Sequence, residues 1–338
     1  MLKSVKGIQS KEVQNSKFTA INIPSSVKII RDGAFRDRKS ITTINIPSSV
    51  ERIEKEAFSR CSSLTSINIP SSVEIIGKGA FEECTSLVSI DISSSVEIIE
   101  KQAFYRCSSL TSINIPSSVK IIGEWTFWDC KSLVSIDIPS SVERIEEGTF
   151  YRCSSLTSIN IPSSVKVIVR FAFACCKRLV GIDIPSSVER IERLAFDECS
   201  SLTSINIPSS VKTIGYGAFR MCTNLVSVDI SSSVKKIRKE AFAECSSLKK
   251  VYLSRNTHFV QSTFPNSVTL IYGWHEFGFY ILLRDLVKKQ RASACPLNAN
   301  DHLDLRVIQK FVTNANDDIF RNVLEFLIFS EKVDSHIF

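Results

Sequence analysis

Phenylalanine stands at positions 35, 58, 81, 104, 127, 150, 173, 196, 219 and 242, a step of 23 residues held ten times without an insertion. A fixed period of that size is the mark of a solenoid, in which each unit packs only on its neighbours. At roughly 100–200 residues per domain, a chain of 338 residues would otherwise allow two or three domains. Two more columns keep the same register, one running from Val27 and Val50 to Val234, the other from Leu64 and Leu87 to Leu248. Columns of one apolar residue type at a constant step are inward-pointing ladders, since stacked units share a continuous core that no single unit can build.

Each unit reads L-x-x-I-x-I-P-S-S-V-x-x-I-x-x-x-A-F-x-x-C, as from Leu64 through Ile67, Ile69, Pro70 and Val73 to Phe81 and Cys84. The alternation of Ile67 and Ile69 predicts a short strand. Proline then ends its ladder and the serine pair supplies turn chemistry. The S-V-x-x-I stretch predicts a second, very short extended piece, and A-F-x-x-C predicts one or two helical turns. Parallel strands about 4.8 Å apart would stack ten units over about 50 Å. Crossovers between parallel strands are almost always right-handed. The expected fold is therefore an α/β repeat, a right-handed solenoid with a parallel β-sheet.

From Phe18 to Tyr272 this pattern resembles the BspA-type leucine-rich repeats. The resemblance implies a leucine-rich-repeat solenoid used for protein or surface recognition, in secreted adhesins and in intracellular proteins alike, with no shared active site. Departures are few. Ser93 and Ser231 replace the proline, Thr126 and Thr149 replace the alanine, and Arg38 stands where the first cysteine would be.

A second period lies inside the first. T-S-I-N-I recurs at 65, 111, 157 and 203, and V-S-I-D-I or a close variant at 88, 134, 180 and 226, so the unit of duplication is 46 residues. Near-identical copies leave little room for a finely tuned site in each. Nine cysteines, Cys61 to Cys245, also keep the step of 23. They sit three residues after the core phenylalanine and three before the core leucine, which faces them inward as small buried thiols. Parallel side chains are badly disposed for disulfides, and the only adjacent pair, Cys175 and Cys176, is no metal motif. Reduced thiols favour a reducing compartment.

His258, His275, His302 and His336 all follow the last full repeat, and none lies in a nucleophile or zinc motif. There is no glycine-rich phosphate loop, and serines that recur in every unit serve turns. No enzyme activity, cofactor or metal is expected. The net charge is +7, but residues 1–40 hold nine Lys and Arg against three Asp and Glu while residues 41–273 hold 25 against 23. A nucleic-acid binder needs a basic stripe with aromatic stacking positions, which this nearly neutral body does not offer. An apolar content of 43% with 23% charged residues excludes disorder and collagen-like chains. No run of about 18 apolar residues predicts membrane insertion. Lys3, Lys6, Lys11 and Lys17 interrupt any secretory leader, so a cytoplasmic location is expected.

Two surfaces stand out. Between the strand isoleucines the outward column reads Asn22, Asn45, Asn68, Asp91, Asn114 and onward to Asp229, a small-polar carpet that either stabilises stacking or makes repetitive contacts to a glycan or protein. Its carboxylates recur about 10 Å apart, too far to share one hard cation. On the other face the monotony breaks. Tyr105, Trp128 and Tyr151 follow the core phenylalanine in three consecutive units, and Trp125, Phe171 and Leu194 stand two residues before it. These six form either a structural stack or a partner-binding patch.

The period ends after Gly273. Leu282, Leu283, Leu286, Phe320, Val323, Leu324 and Leu327 fall at helical spacing, so residues 273–338 read as a helical cap or a partner module. Asp301 and Asp317 would cap its helices, and residues 1–17 read as a basic segment or cap. The whole is expected to be a monomeric, non-catalytic scaffold for protein–protein interaction. The alternative is a cell-surface adhesin for a host or matrix protein or glycan.

Overall fold

In the computed structural model, which describes residues 18–272, the 23-residue step becomes one coil of a parallel-sheet solenoid. The first track of each coil is the I-x-I strand. Ala20–Asn22, Thr43–Asn45, Ser66–Ile69 and Ser89–Ile92 form one sheet; Ser135–Asp137 pairs with Ser158–Asn160; Ser204–Ile207, Ser227–Ile230, Lys250–Leu253 and Thr269–Tyr272 form another. Every pair is parallel and in register by 23 residues, Ile67 facing Ile90 and Asn68 facing Asp91, until Lys250 meets Thr269. Isoleucines point inward and Ser, Asn and Asp outward, as period-two alternation requires.

The second track is the V-x-x-I stretch. It forms two-residue strands such as Ile75–Ile76 and Ile98–Ile99, again parallel. Between the tracks, the second serine of each pair donates its hydroxyl to the valine carbonyl of the preceding coil, as Ser95 does to Val73 at 2.8 Å and Ser164 to Val142 at 2.6 Å. Where serine replaces proline, Ser93 and Ser231 bond that same hydroxyl, on Ser95 and Ser233.

The third track corrects the sequence reading. The A-F-x-x-C stretch is not helical, and the only helix among the described residues is the 3-10 turn Gln261–Thr263. Alternate amides instead reach the next coil. The N–H of Phe35 donates to the carbonyl of Ala57 at 2.7 Å, Phe58 to Ala80 and Phe81 to Ala103 at 2.8 Å, while intervening amides close tight turns within the coil. The physical reason is spacing. Neighbouring core rings lie 5.1 to 5.6 Å apart, about half the diameter of an α-helix with its side chains, so helices could not stack at this rise. The element is paid for in backbone strain: two residues per coil adopt left-handed geometry, two before and two after the core phenylalanine, as Glu56 (φ 52°) and Arg60 (φ 60°) do.

The interior is a set of ladders. Phe35 to Phe242 are all at most 1% exposed. An eleventh ring, Phe264, extends the stack at 5.3 Å from Phe242 although it falls one residue short of the period. The basic segment 1–17 and the helices expected in 273–338 lie outside the described residues.

Candidate interaction face on the outer turns

The third track carries four side-chain columns to the surface, at positions −3, −2, +1 and +2 from the core phenylalanine. The two central columns hold the six residues singled out from the sequence. Tyr105, Trp128 and Tyr151 occupy +1, and Trp125, Phe171 and Leu194 occupy −2. The five rings form one cluster: Trp125 and Trp128 lie 4.8 Å apart between centroids, Tyr105 and Trp128 4.9 Å, Trp128 and Tyr151 5.3 Å. Phe171 closes it at 6.1 Å from Tyr151 and 6.2 Å from Trp125. All five rings are half-buried. Leu194 departs from the expectation of an exposed patch. It is only 7% exposed because it presses over Gly217, where a Cβ would come within 2.6 Å of its Cδ2.

Glycine makes the cluster possible. Trp125 spreads over the next coil at Gly148, whose Cβ, if present, would lie 1.9 Å from the indole. The −2 column is left-handed in every full coil and holds glycine at 33, 79, 148 and 217. Trp125 (φ 58°), Phe171 (φ 58°) and Leu194 (φ 55°) take the same geometry with bulky side chains, at about 1–2 kcal/mol each.

The flanking columns are charged. At +2 the sequence alternates in sign through Asp37, Arg60, Glu83, Arg106, Asp129 and Arg152, a signal legible in the sequence once the column is known. Arg60 and Arg106 hold opposite oxygens of Glu83 at 3.1 and 3.0 Å. Asp129 Oδ2 lies 4.0 Å from Arg106 and 3.4 Å from Lys131, while its buried Oδ1 has no hydrogen-bond partner. Arg106 and Arg152 lie over the rings of Tyr105 and Tyr151 at 5.3 and 5.6 Å, close enough for cation–π attraction. Burial raises the phenol pKa of Tyr151, and Cys175 adds to the shift.

The strand face is less uniform than the polar carpet expected. Val88, Val134, Val180 and Val226 stand 45 to 52% exposed, one every second coil. In the intervening coils Thr111, Thr157 and Thr203 occupy the position and donate their hydroxyls to the preceding coil's carbonyl. A shallow depression on this face runs over Thr43, Ser66, Asn68, Ser89 and Asp91.

The nine periodic cysteines are buried, unpaired thiols. Each donates Sγ–H to the carbonyl of the preceding coil's core phenylalanine at 3.0 to 3.3 Å, from Cys61 on Phe35 to Cys245 on Phe219, a role the spacing alone did not disclose. Burial pushes the Cys61 thiol up to about 12 and those of Cys84 to Cys222 well above the ordinary value. Buried thiols of raised pKa are poorly reactive, so the burial of these nine does not distinguish a reducing from an oxidising compartment. Among the described residues no three His, Cys, Asp or Glu side chains converge as for a metal, and no helix is long and apolar enough to cross a membrane.

The family model for the BspA type leucine rich repeat region matches residues 6–133, 76–199 and 167–272, in six copies. The chain belongs to the BspA-type leucine-rich repeat family. Among solved structures, this BspA-type chain is similar to a leucine-rich repeat protein from Bacteroides ovatus, at 26% identity over 75% of this chain and 92% of that one, with a TM-score of 0.51. It is similar also to the pneumococcal vaccine antigen PcpA, at 25% identity over 80% and 76% of the two chains, with a TM-score of 0.55. No curated protein matches the chain.

Proposed function

We propose that this BspA-type chain is a non-catalytic scaffold that works as a monomer and recognises another protein through the ring cluster on its outer turns. One observation carries the reading: five half-buried rings gather in the middle of the array, and two of them, Trp125 and Phe171, occupy left-handed positions that four other coils fill with glycine. The fold has no need of bulk there, since Gly33, Gly79, Gly148 and Gly217 serve the same backbone. Tryptophan, tyrosine and arginine dominate binding hot spots. A rigid solenoid presents such a face at low conformational cost.

The test is affinity enrichment from the source cell with wild type and with a Trp125→Ser, Trp128→Ser chain matched for circular dichroism. A partner retained by the wild type and lost by the variant is expected. An identical partner list returns the rings to structure. A second reading, a surface adhesin for a host or matrix protein or glycan, is favoured by the likeness to the pneumococcal vaccine antigen. On that reading the valine-studded strand face does the binding, and the tryptophan variant retains its partners.

A further inference from the structure

We infer that the segment docking on the ring cluster is acidic, with carboxylates that meet Arg152 and Arg193; this rests on the reading of the cluster as a docking face. The two arginines bracket it, Arg152 in the +2 column on one side and Arg193 in the −3 column on the other. Both are exposed. Each lies over a tyrosine, Arg152 over Tyr151 at 5.6 Å and Arg193 over Tyr216 at 5.2 Å. Neither has a carboxylate partner among the described residues. Their counterparts in the same columns do: Arg60 and Arg106 hold Glu83 at 3.1 and 3.0 Å, and Arg170 holds Glu147 at 2.6 Å.

The vacancy has a cause in the sequence. The +2 column alternates acid and base from Asp37 to Arg152, and the next place, due an acid, is Cys175. The array thus supplies Arg60 and Arg106 with carboxylates from the adjoining coils and withholds that pattern at the edge of the cluster. A guanidinium held on a tyrosine face is already oriented, so less side-chain freedom is lost when a carboxylate binds. Such charge-assisted bonds are among the stronger ones a surface can make. The partner that fits brings aromatic or aliphatic groups to the rings and acids to both flanks.

The probe is a dye-labelled random copolymer of glutamate and tyrosine, with a lysine–tyrosine copolymer as its opposite, read by fluorescence anisotropy against the full chain. Saturable binding of the acidic copolymer alone is expected, weakened about tenfold by Arg152→Glu or by Arg193→Glu and unchanged by Lys3→Glu, Lys6→Glu. Arg152→Gln and Arg193→Gln provide milder versions if a reversed charge perturbs the fold. No binding of the acidic copolymer, equal binding of the basic one, or loss only in the Lys3, Lys6 variant overturns the inference. If the arginine variants bind as wild type while Trp125→Ser, Trp128→Ser abolishes binding, the docking face stands and its acidic partner falls. If the arginines matter and the tryptophans do not, acid recognition stands without the ring cluster.

Discussion

Two sets of aromatic rings run along the same coils and obey different rules. Inside, the phenylalanines from Phe35 to Phe264 stack 5.1 to 5.6 Å apart with interplanar angles of 3 to 14°. Outside, a few residues away in the chain, Tyr105, Trp125, Trp128, Tyr151 and Phe171 meet at 35 to 88°. An identical side chain on an identical backbone every 23 residues has no freedom to differ from its neighbours, so the interior repeats one geometry. Where residue types change from coil to coil, rings settle into the tilted and edge-on contacts that their quadrupoles favour. Uniformity marks what holds the coils together, and irregularity marks what one coil does that the next does not.

That contrast is most strongly challenged by alkali. The thiols of Cys61 to Cys222 in the periodic series are neutral in folded and unfolded chain alike below the ordinary value of 9.0. Above it the unfolded chain loses thiol protons that the folded interior retains, up to about pH 12 for Cys61. Stability should therefore hold to about pH 9 and then fall, by about 1.4 kcal/mol per pH unit for each thiol that titrates. Thermal unfolding followed from pH 7 to 11 measures it, and a flat profile would mean that the ladder is not dry. Next in size, Phe127→Ala opens the inner stack and should cost about 3–5 kcal/mol in chemical denaturation, against about 1 kcal/mol for Tyr105→Ala at the margin of the outer cluster. Similar losses would erase the distinction. The smallest effect separates two glycines of one column. Both have φ of 59°, but a Cβ at Gly33 meets nothing nearer than 3.7 Å, whereas at Gly148 it strikes Trp125. Gly33→Ala should cost about 1 kcal/mol of backbone strain, and Gly148→Ala more, with a changed tryptophan emission that Gly33→Ala does not produce.

The period made the solenoid, its inward columns and the parallel strands legible, because each follows from a residue type recurring at one step. The third track was not legible in the same way. Ala57 and Phe58 have local preferences compatible with a helical turn, but what decides their conformation is the pairing of Phe58 with Ala80 in the next coil. Local propensity carries no trace of a bond 22 residues away. The left-handed geometry was equally hidden, since Glu56, Gln102 and Trp125 give no glycine signal of their own and are recognised only through Gly33, Gly79 and Gly148 in the same column. Burial of Leu194 depended on Gly217, one coil further on, leaving room above it. Phe264 escaped notice because it sits 22 rather than 23 residues after Phe242. The cluster residues themselves were found as breaks in a column, which is the one kind of site a repeat advertises.

The serine and cysteine ladders between coils point one way, whereas the surface ion pairs run in both directions. The second serine of each turn pair and each periodic cysteine reach back to a carbonyl of the coil before, and Arg38 stands where the series has no earlier phenylalanine carbonyl to meet. Every interior coil thus offers its predecessor the same donors and its successor the same acceptors, like links stamped from one die. Whole coils can be spliced in or out of the middle without orphaning a single such bond. Coil number is then a quantity that recombination can tune freely, as the 46-residue duplications suggest it has. What depends on coil order lies outside: shuffling the coils around Phe127 would keep the inner ladders but scatter the ring cluster, part Trp125 from Gly148 and break the alternation of charge in the +2 column.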